Sequence, residues 1–389
     1  MSVTAPRGFR AAAATAGLKS SGRPDVALVV NDGPATAAAA VYTSNRCKAN
    51  PVLWSERASA DGRLRAVVLN SGGANCYTGP EGFQVTHATA EQVAAGLTAE
   101  GTPTGAVDVV VCSTGLIGEQ LDAPALARGV DAALAGLSAD GGPAAAEAIM
   151  TTDTRPKEAV RTSPDGWTVA GMAKGAGMLA PGLATMLVVL TTDADASAVM
   201  CDTVLRAATR VTFDRLDTDG CMSTNDTVVL LASGASGVAP EPADLADTVR
   251  EVCHDLAMQL LADAEGAEHE IAIEVRGAAT EDDAVGAGRA VARSNLVKAA
   301  VFGRDPNWGR VLAAVGTSPA AFDPQAVDVA VNGVWICRGG RPGEPRDRVD
   351  LTPRSVTVTV DLHAGEAAAT VWTTDLTHAY VHENSAYST

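Results

Sequence analysis

Eight short aliphatic, β-branched runs recur along the chain with helix-periodic stretches between them, and this alternation limits what the chain can fold into. The runs are VALVV (26–30), RAVVLN (65–70), DVVVCST (108–114), TMLVVLTT (185–192), TVVLLAS (227–233), IAIEVRG (271–277), VDVAVNG (327–333) and SVTVTVDL (355–362). The stretches ATAEQVAAGLTA (88–99) and DLADTVREVCHDLAMQLLADA (244–264) read as helices. In the second, Leu245, Val249, Val252, Cys253, Leu256, Leu260 and Leu261 return at three- and four-residue steps, the spacing of one helix face. The pattern predicts an α/β fold. No G-x-G-x-x-G follows the first run, so a dinucleotide-binding fold has no support. Period-two alternation in VDVAVNG and SVTVTVDL predicts half-buried antiparallel sheet in the last third. A chain of 389 residues is long enough for two or three compact units. The Ala/Gly/Pro segments at 137–146 and 234–242 read as loops.

Charge removes whole classes of function. The net charge is −17, and five lysines are scattered among 29 basic residues, so the clustered cations that nucleic acid requires are missing. Cys47, Cys76, Cys112, Cys201, Cys221, Cys253 and Cys337 form no C-x-x-C pair, and their odd number and wide spacing suit reduced thiols. No H-E-x-x-H occurs. His378 and His382 are four apart, but THAYVHENSAYST around them reads as extended, so no metal site is expected. The N-terminus lacks a continuous apolar stretch of the signal-peptide kind, and no segment is long enough to span a bilayer. The expectation is a cytoplasmic protein with neither membrane nor nucleic acid as partner.

The stretch MAKGAGMLAPGLATMLVVL (172–190) crowds a lysine, glycines and a proline ahead of an apolar run. A phosphate loop needs its lysine after the glycines and a hydroxyl following; here Lys174 comes first, so that reading fails. Thr185 near the head of the run has two readings. β-branched Thr suits a strand and needs no further reason. Alternatively, the small residues before it suit scission of Ala184–Thr185, which would free an α-amine to act as base for the Thr185 hydroxyl. CSTGLIG (112–118) directly after a strand also reads two ways, as an ordinary turn or as hydroxyl and backbone N–H donors for an oxyanion. MTTDTRPK (150–157), FDRLDTDGCMSTNDT (213–227), GRDPNWGR (303–310) and HENSAYST (382–389) are polar beyond the needs of turns and suggest a polar substrate pocket.

Taken together, LNSGGAN (69–75), CSTGLIG, IMTTDT, MAKGAGMLAPGLATML, DTDGCMSTNDT, ADAEGA, FGRDPNWGR and ENSAYST resemble, in number and order, the motifs of the arginine-biosynthesis ornithine acetyltransferases, the bifunctional ArgJ family. The resemblance spans essentially the full length and is nearest to actinobacterial members. It implies mixed-sheet, sandwich-like layers flanked by helices, with an α+β C-terminal part. It also implies self-cleavage at Ala184–Thr185 into fragments 1–184 and 185–389, intertwined in one body and assembled as α₂β₂. Thr185 would then take acetyl from N²-acetylornithine and pass it to glutamate in a ping-pong transfer; some members also take acetyl-CoA as donor. No metal or bound cofactor is implied. Thr114 and Gly115 match the family's oxyanion hole, and Thr151, Lys174, Thr185, Glu265, Asn384 and Thr389 match positions that contact substrate. Two other readings of the residues stand beside this one: an N-terminal-nucleophile amidase or aminopeptidase, and a non-catalytic amino-acid-binding protein.

Overall fold

The computed structural model describes residues 2–178 and 186–386. Among them run fifteen strands: β1 (Phe9–Ala14), β2 (Val26–Asn31), β3 (Ala37–Tyr42), β4 (Ala66–Ser71), β5 (Val109–Thr114), β6 (Lys157–Thr162), β7 (Thr168–Lys174), β8 (Leu187–Thr192), β9 (Thr227–Ala232), β10 (Glu270–Ala278), β11 (Asp328–Val331), β12 (Val334–Arg338), β13 (Arg341–Pro342), β14 (Ser355–Asp361) and β15 (Ala367–Thr374). They form three mixed sheets, ordered β1-β2-β4-β5, β3-β9-β8-β7-β6 and β13-β12-β11-β14-β10-β15. Helices accompany all three, and the fold is mixed α/β.

The first two sheets share one core. Ala27, Val29, Val67, Leu69, Val110 and Cys112 of the first meet Ala38, Met172, Leu187, Val189, Val229 and Leu231 of the second. The alternate residues of the same strands face outward onto helices. Val188, Leu190, Val228 and Leu230 pack with the helices Ala198–Val211 and Pro242–Ala262. On the other side, Val26, Leu28, Val68 and Val111 pack with Asn50–Ala58, Gly79–Ala99 and Ala123–Ala135. Both faces of β2, β4, β5, β8 and β9 are therefore covered, which is why these strands are buried at every position. Each buried Val or Leu contributes about 1.5–3 kcal/mol. The third sheet has its own core, in which Ile271, Ile273, Val356 and Val358 pack with Val291 and Val311 of the helices Glu281–Ala292 and Trp308–Val315.

All eight sequence runs fall on strands, and both periodic stretches on helices. Of 185–192, the described strand is Leu187–Thr192. Several expectations need correction. The last third is half-buried along β14, but β10 and β14 pair in parallel, and β11, between two neighbours, is buried throughout. The stretch after Thr377 is not extended: His378–Ala386 is helical, and Thr377 starts it by accepting the Tyr380 N–H at 2.9 Å on its hydroxyl. Part of 137–146 is helix, since Pro143 starts the helix Gly142–Ala148. The alanine strands β1 and β3 carry no sequence signal.

Candidate active site

The cleft that gathers most of the expected site residues opens where strand ends from the two facing sheets meet. Thr114 is the last residue of β5 and Lys174 the last of β7. Both are buried, and the Lys174 ammonium donates to Thr114 Oγ1 at 3.1 Å. An ammonium only donates, so the Thr114 hydroxyl keeps its own proton for another acceptor. The Thr114 carbonyl is taken by the N–H groups of Gly72 and Gly73, at 2.9 and 3.0 Å. Gly115 follows with φ +130°, and a Cβ there would stand 2.6 Å from Gly73 N. Only glycine fits that turn. The Gly115 N–H has no partner among the described residues. Thr114 and Gly115 thus offer an O–H and an N–H side by side.

Glu265 follows the helix Pro242–Ala262, and its N–H donates to the Ala176 carbonyl at 2.9 Å. Gly177 lets the carboxylate approach, because a Cβ at 177 would lie 2.5 Å from Glu265 Oε2. Asn384, on the C-terminal helix, donates from Nδ2 to the same oxygen at 3.1 Å. Thr151, Thr114, Gly115, Lys174, Glu265 and Asn384 all line one cavity. Ala184, Thr185 and Thr389 lie outside the described residues.

Beneath the cleft is a buried ion network. Lys157, fully buried, donates to Asp153 Oδ1 and Asp263 Oδ2, each at 2.6 Å. Asp153 also accepts the N–H groups of Thr151 (3.0 Å) and Gly175 (2.7 Å), fixing the residues flanking the cavity. Burial pushes the Asp153 carboxyl up. The ammoniums of Lys174 and Lys157 and the Gly175 N–H outweigh it and leave the group below the usual carboxylate range. Burial lowers the Lys174 pKa, against the opposing pull of Asp153. Opposite charges 2.6 Å apart in a dry interior are stabilising only when the remaining hydrogen-bonding capacity is met, and here it largely is.

Sequence reasoning missed Asp153, Lys157 and Asn225. Asn225 Nδ2 donates to the carbonyls of Ala74 (2.6 Å) and Ser113 (2.8 Å), joining three of the quoted motifs. The signal present was the polarity of MTTDTRPK and DTDGCMSTNDT, which marks a region without ranking its members. GRDPNWGR serves structure instead: Asn307 caps the helix Trp308–Val315 through the Arg310 N–H at 3.2 Å. His378 stands edge-on to Phe302 with ring centres 5.5 Å apart. No cluster of three or more metal-ligand side chains occurs among the described residues, and no described helix is long and apolar enough to cross a membrane.

The model of the ArgJ family matches residues 10–389. An arginine biosynthesis bifunctional protein ArgJ from Thermobifida fusca (strain YX) is 64% identical over 389 residues, covering 100% of both chains. Another, from Streptomyces coelicolor, is 62% identical over 388 residues, again with 100% of both covered. Among solved structures, ornithine acetyltransferase complexed with ornithine from Mycobacterium tuberculosis is 56% identical; the match covers 48% of this chain and 96% of that one, with a TM-score of 0.46. A match that runs from the first strand to the last residue, with well over half of all positions shared with full-length relatives, is decisive: this chain belongs to the ArgJ family.

Proposed function

We propose that this chain is an acetyltransferase of arginine biosynthesis that moves acetyl from N²-acetylornithine to glutamate through an acetyl-Thr185 intermediate, and that it also makes N-acetylglutamate from acetyl-CoA. One observation carries the reading. The O–H of Thr114 and the N–H of Gly115 belong to residues that line one cavity with Lys174 and the Glu265–Asn384 pair. An amino-acid substrate brings a carboxylate and an ammonium, which these opposite charges suit. Thr151 and Thr389 complete the substrate contacts.

In this mechanism the chain first cuts itself at Ala184–Thr185. The free α-amine of Thr185 takes the hydroxyl proton as Oγ1 attacks the acetyl carbonyl, and Thr114 and Gly115 hold the oxyanion. Ornithine leaves, glutamate's amine takes the acetyl group, and Thr185 is regenerated. The cut falls between β7 and β8, where Lys174 pairs with Leu187, so fragments 1–184 and 185–389 would stay interleaved within the second sheet. Such a body is sandwich-like layers of the ornithine acetyltransferase type, and α₂β₂ is its assembly, in the cytoplasm.

The test is denaturing mass spectrometry together with acetyl-transfer assays. Matured protein should give two fragments that meet at residues 184 and 185, and acetylornithine alone should leave acetyl on Thr185. Thr185→Ala should remain one inactive chain. A single uncut chain with full transfer activity would sink the mechanism, and release of acetate in place of transfer to glutamate would make the protein a hydrolase.

A further inference from the structure

A second cavity, of about 250 Å³, shares no described lining residue with the active cavity. Four charged side chains line it: Asp219, Arg293, Lys298 and Asp375. Two of them are committed elsewhere. Arg293, at the end of the helix Glu281–Ala292, donates from Nε to Asp217 Oδ2 at 2.7 Å. Asp375, just past β15, holds His269: its Oδ2 lies 2.7 Å from His269 Nδ1, and its Oδ1 accepts the His269 backbone N–H at 3.0 Å.

The other two are not. Lys298, buried on the helix Asn295–Phe302, donates to the Thr218 carbonyl and to Thr373 Oγ1, the latter at 3.3 Å. An ammonium has three protons to give, and the third meets no acceptor among the described residues. Asp219 accepts the N–H groups of Cys221 at 3.0 Å and Met178 at 2.6 Å, both neutral donors, and pairs with no cation among the described residues. Lys298 and Asp219 thus attract each other without forming an ion pair. Burial lowers the Lys298 pKa to about 8, and the pull of Asp219 is the largest influence against that fall. Burial raises the Asp219 carboxyl, against the Cys221 and Met178 N–H groups and the Lys298 ammonium, with Glu265 adding to the rise.

An ammonium and a carboxylate that line one cavity unpaired are costly until something satisfies both. One cation and one anion left over select a ligand that carries one of each. We infer that this cavity binds a free α-amino acid, its carboxylate taking the third Lys298 proton and its ammonium donating to Asp219. Arg293 and Asp375 already have partners of opposite charge, and Leu376 and Tyr380 add apolar surface to the lining, which suits a small uncharged side chain such as that of valine. The site adjoins the active cavity through Asp219, because Met178, whose N–H it accepts, lines that cavity. The assignment needs neither self-cleavage nor acetyl transfer.

The experiment is isothermal titration of the full chain with L-valine, together with a crystal structure of the complex. Valine should bind, with its density between Lys298 and Asp219. Isovalerate, which lacks the ammonium, and isobutylamine, which lacks the carboxylate, should each bind at least about 10-fold more weakly, the lower end for loss of a charge-assisted hydrogen bond. Lys298→Met, similar in length but uncharged, should weaken valine by about as much while still melting cooperatively. If that variant has no cooperative melt, the two truncated ligands on the parent protein decide. No binding at millimolar valine, isovalerate binding as tightly as valine, an unchanged affinity in folded Lys298→Met, or valine seated in the active cavity would each overturn the proposal.

Discussion

Lys174 Nζ donates to Thr114 Oγ1 over 3.1 Å, tying the last residue of β7 to the last residue of β5 across the joint between two sheets. The bond leaves the Thr114 proton as the only one that hydroxyl can give away. Thr114→Val, close in shape but without the proton, should lower kcat by about 10²–10³-fold, the range for one oxyanion donor. Thr114→Ser should retain most of the activity. Steady-state kinetics with acetylornithine and glutamate checks both, and an unchanged kcat in the valine variant would remove Thr114 from the chemistry.

Glu265 lines the same cavity as Lys174, and its carboxylate accepts from the Asn384 amide. Glu265→Gln keeps the size and removes the charge. A charge-assisted hydrogen bond is worth about 1.5–3 kcal/mol, which corresponds to a rise in KM for acetylornithine of about 10- to 150-fold. Asn384→Ala should produce a smaller rise of the same kind, measured in the same assay.

The turn after β5 admits no side chain. Gly115→Ala would combine a left-handed backbone with a Cβ 2.6 Å from Gly73 N, so it should cost about 1–3 kcal/mol of stability and displace the Gly115 N–H. Both a lower Tm and a lower kcat are expected. Loss of Tm with kcat intact would show that the N–H is not needed.

Asp153 makes stability depend on acid. Its folded pKa lies below the unfolded value of about 3.9, so its contribution is present above that value and is lost as pH falls through the folded one. Removing one side of a buried pair costs about 3–5 kcal/mol. Asp153→Asn should therefore melt well below the parent at pH 7, with a gap that narrows below about pH 4. Thermal melts across pH 3–7 check this, and a gap independent of pH would mean that lost packing, not lost charge, explains the effect.

What the sequence disclosed depended on how far its signals were local. Strands such as β8 and β9 advertise themselves because both faces are buried, which demands an unbroken aliphatic run. β1 and β3 are built largely from alanine, a poor strand former. They are strands because the ladders to β2 and β9 hold them there, a tertiary reason with no local trace. The C-terminal helix was obscured in the same way: it buries none of its side chains, so it shows no apolar periodicity, and it is held by Thr377 and the Gly266 carbonyl. Thr114, Gly115, Thr151, Lys174, Glu265 and Asn384 were legible as a set only through the resemblance of motifs scattered over the chain. Asp153 differs from other carboxylates only in what surrounds it, and surroundings are a property of the fold.

The pairing of β7 with β8 has a consequence for the life of the molecule. Before scission, the two strands are joined by a short connection, and the ladder from Val169–Thr192 to Lys174–Leu187 forms as a first-order event. If the chain is cut at Ala184–Thr185, the same ladder spans two separate polypeptides, and after denaturation its recovery becomes a bimolecular encounter that slows with dilution. The mature protein would then be assembled under conditions that no longer exist once it is complete, and its persistence would rest on how slowly it comes apart rather than on how well it can be rebuilt.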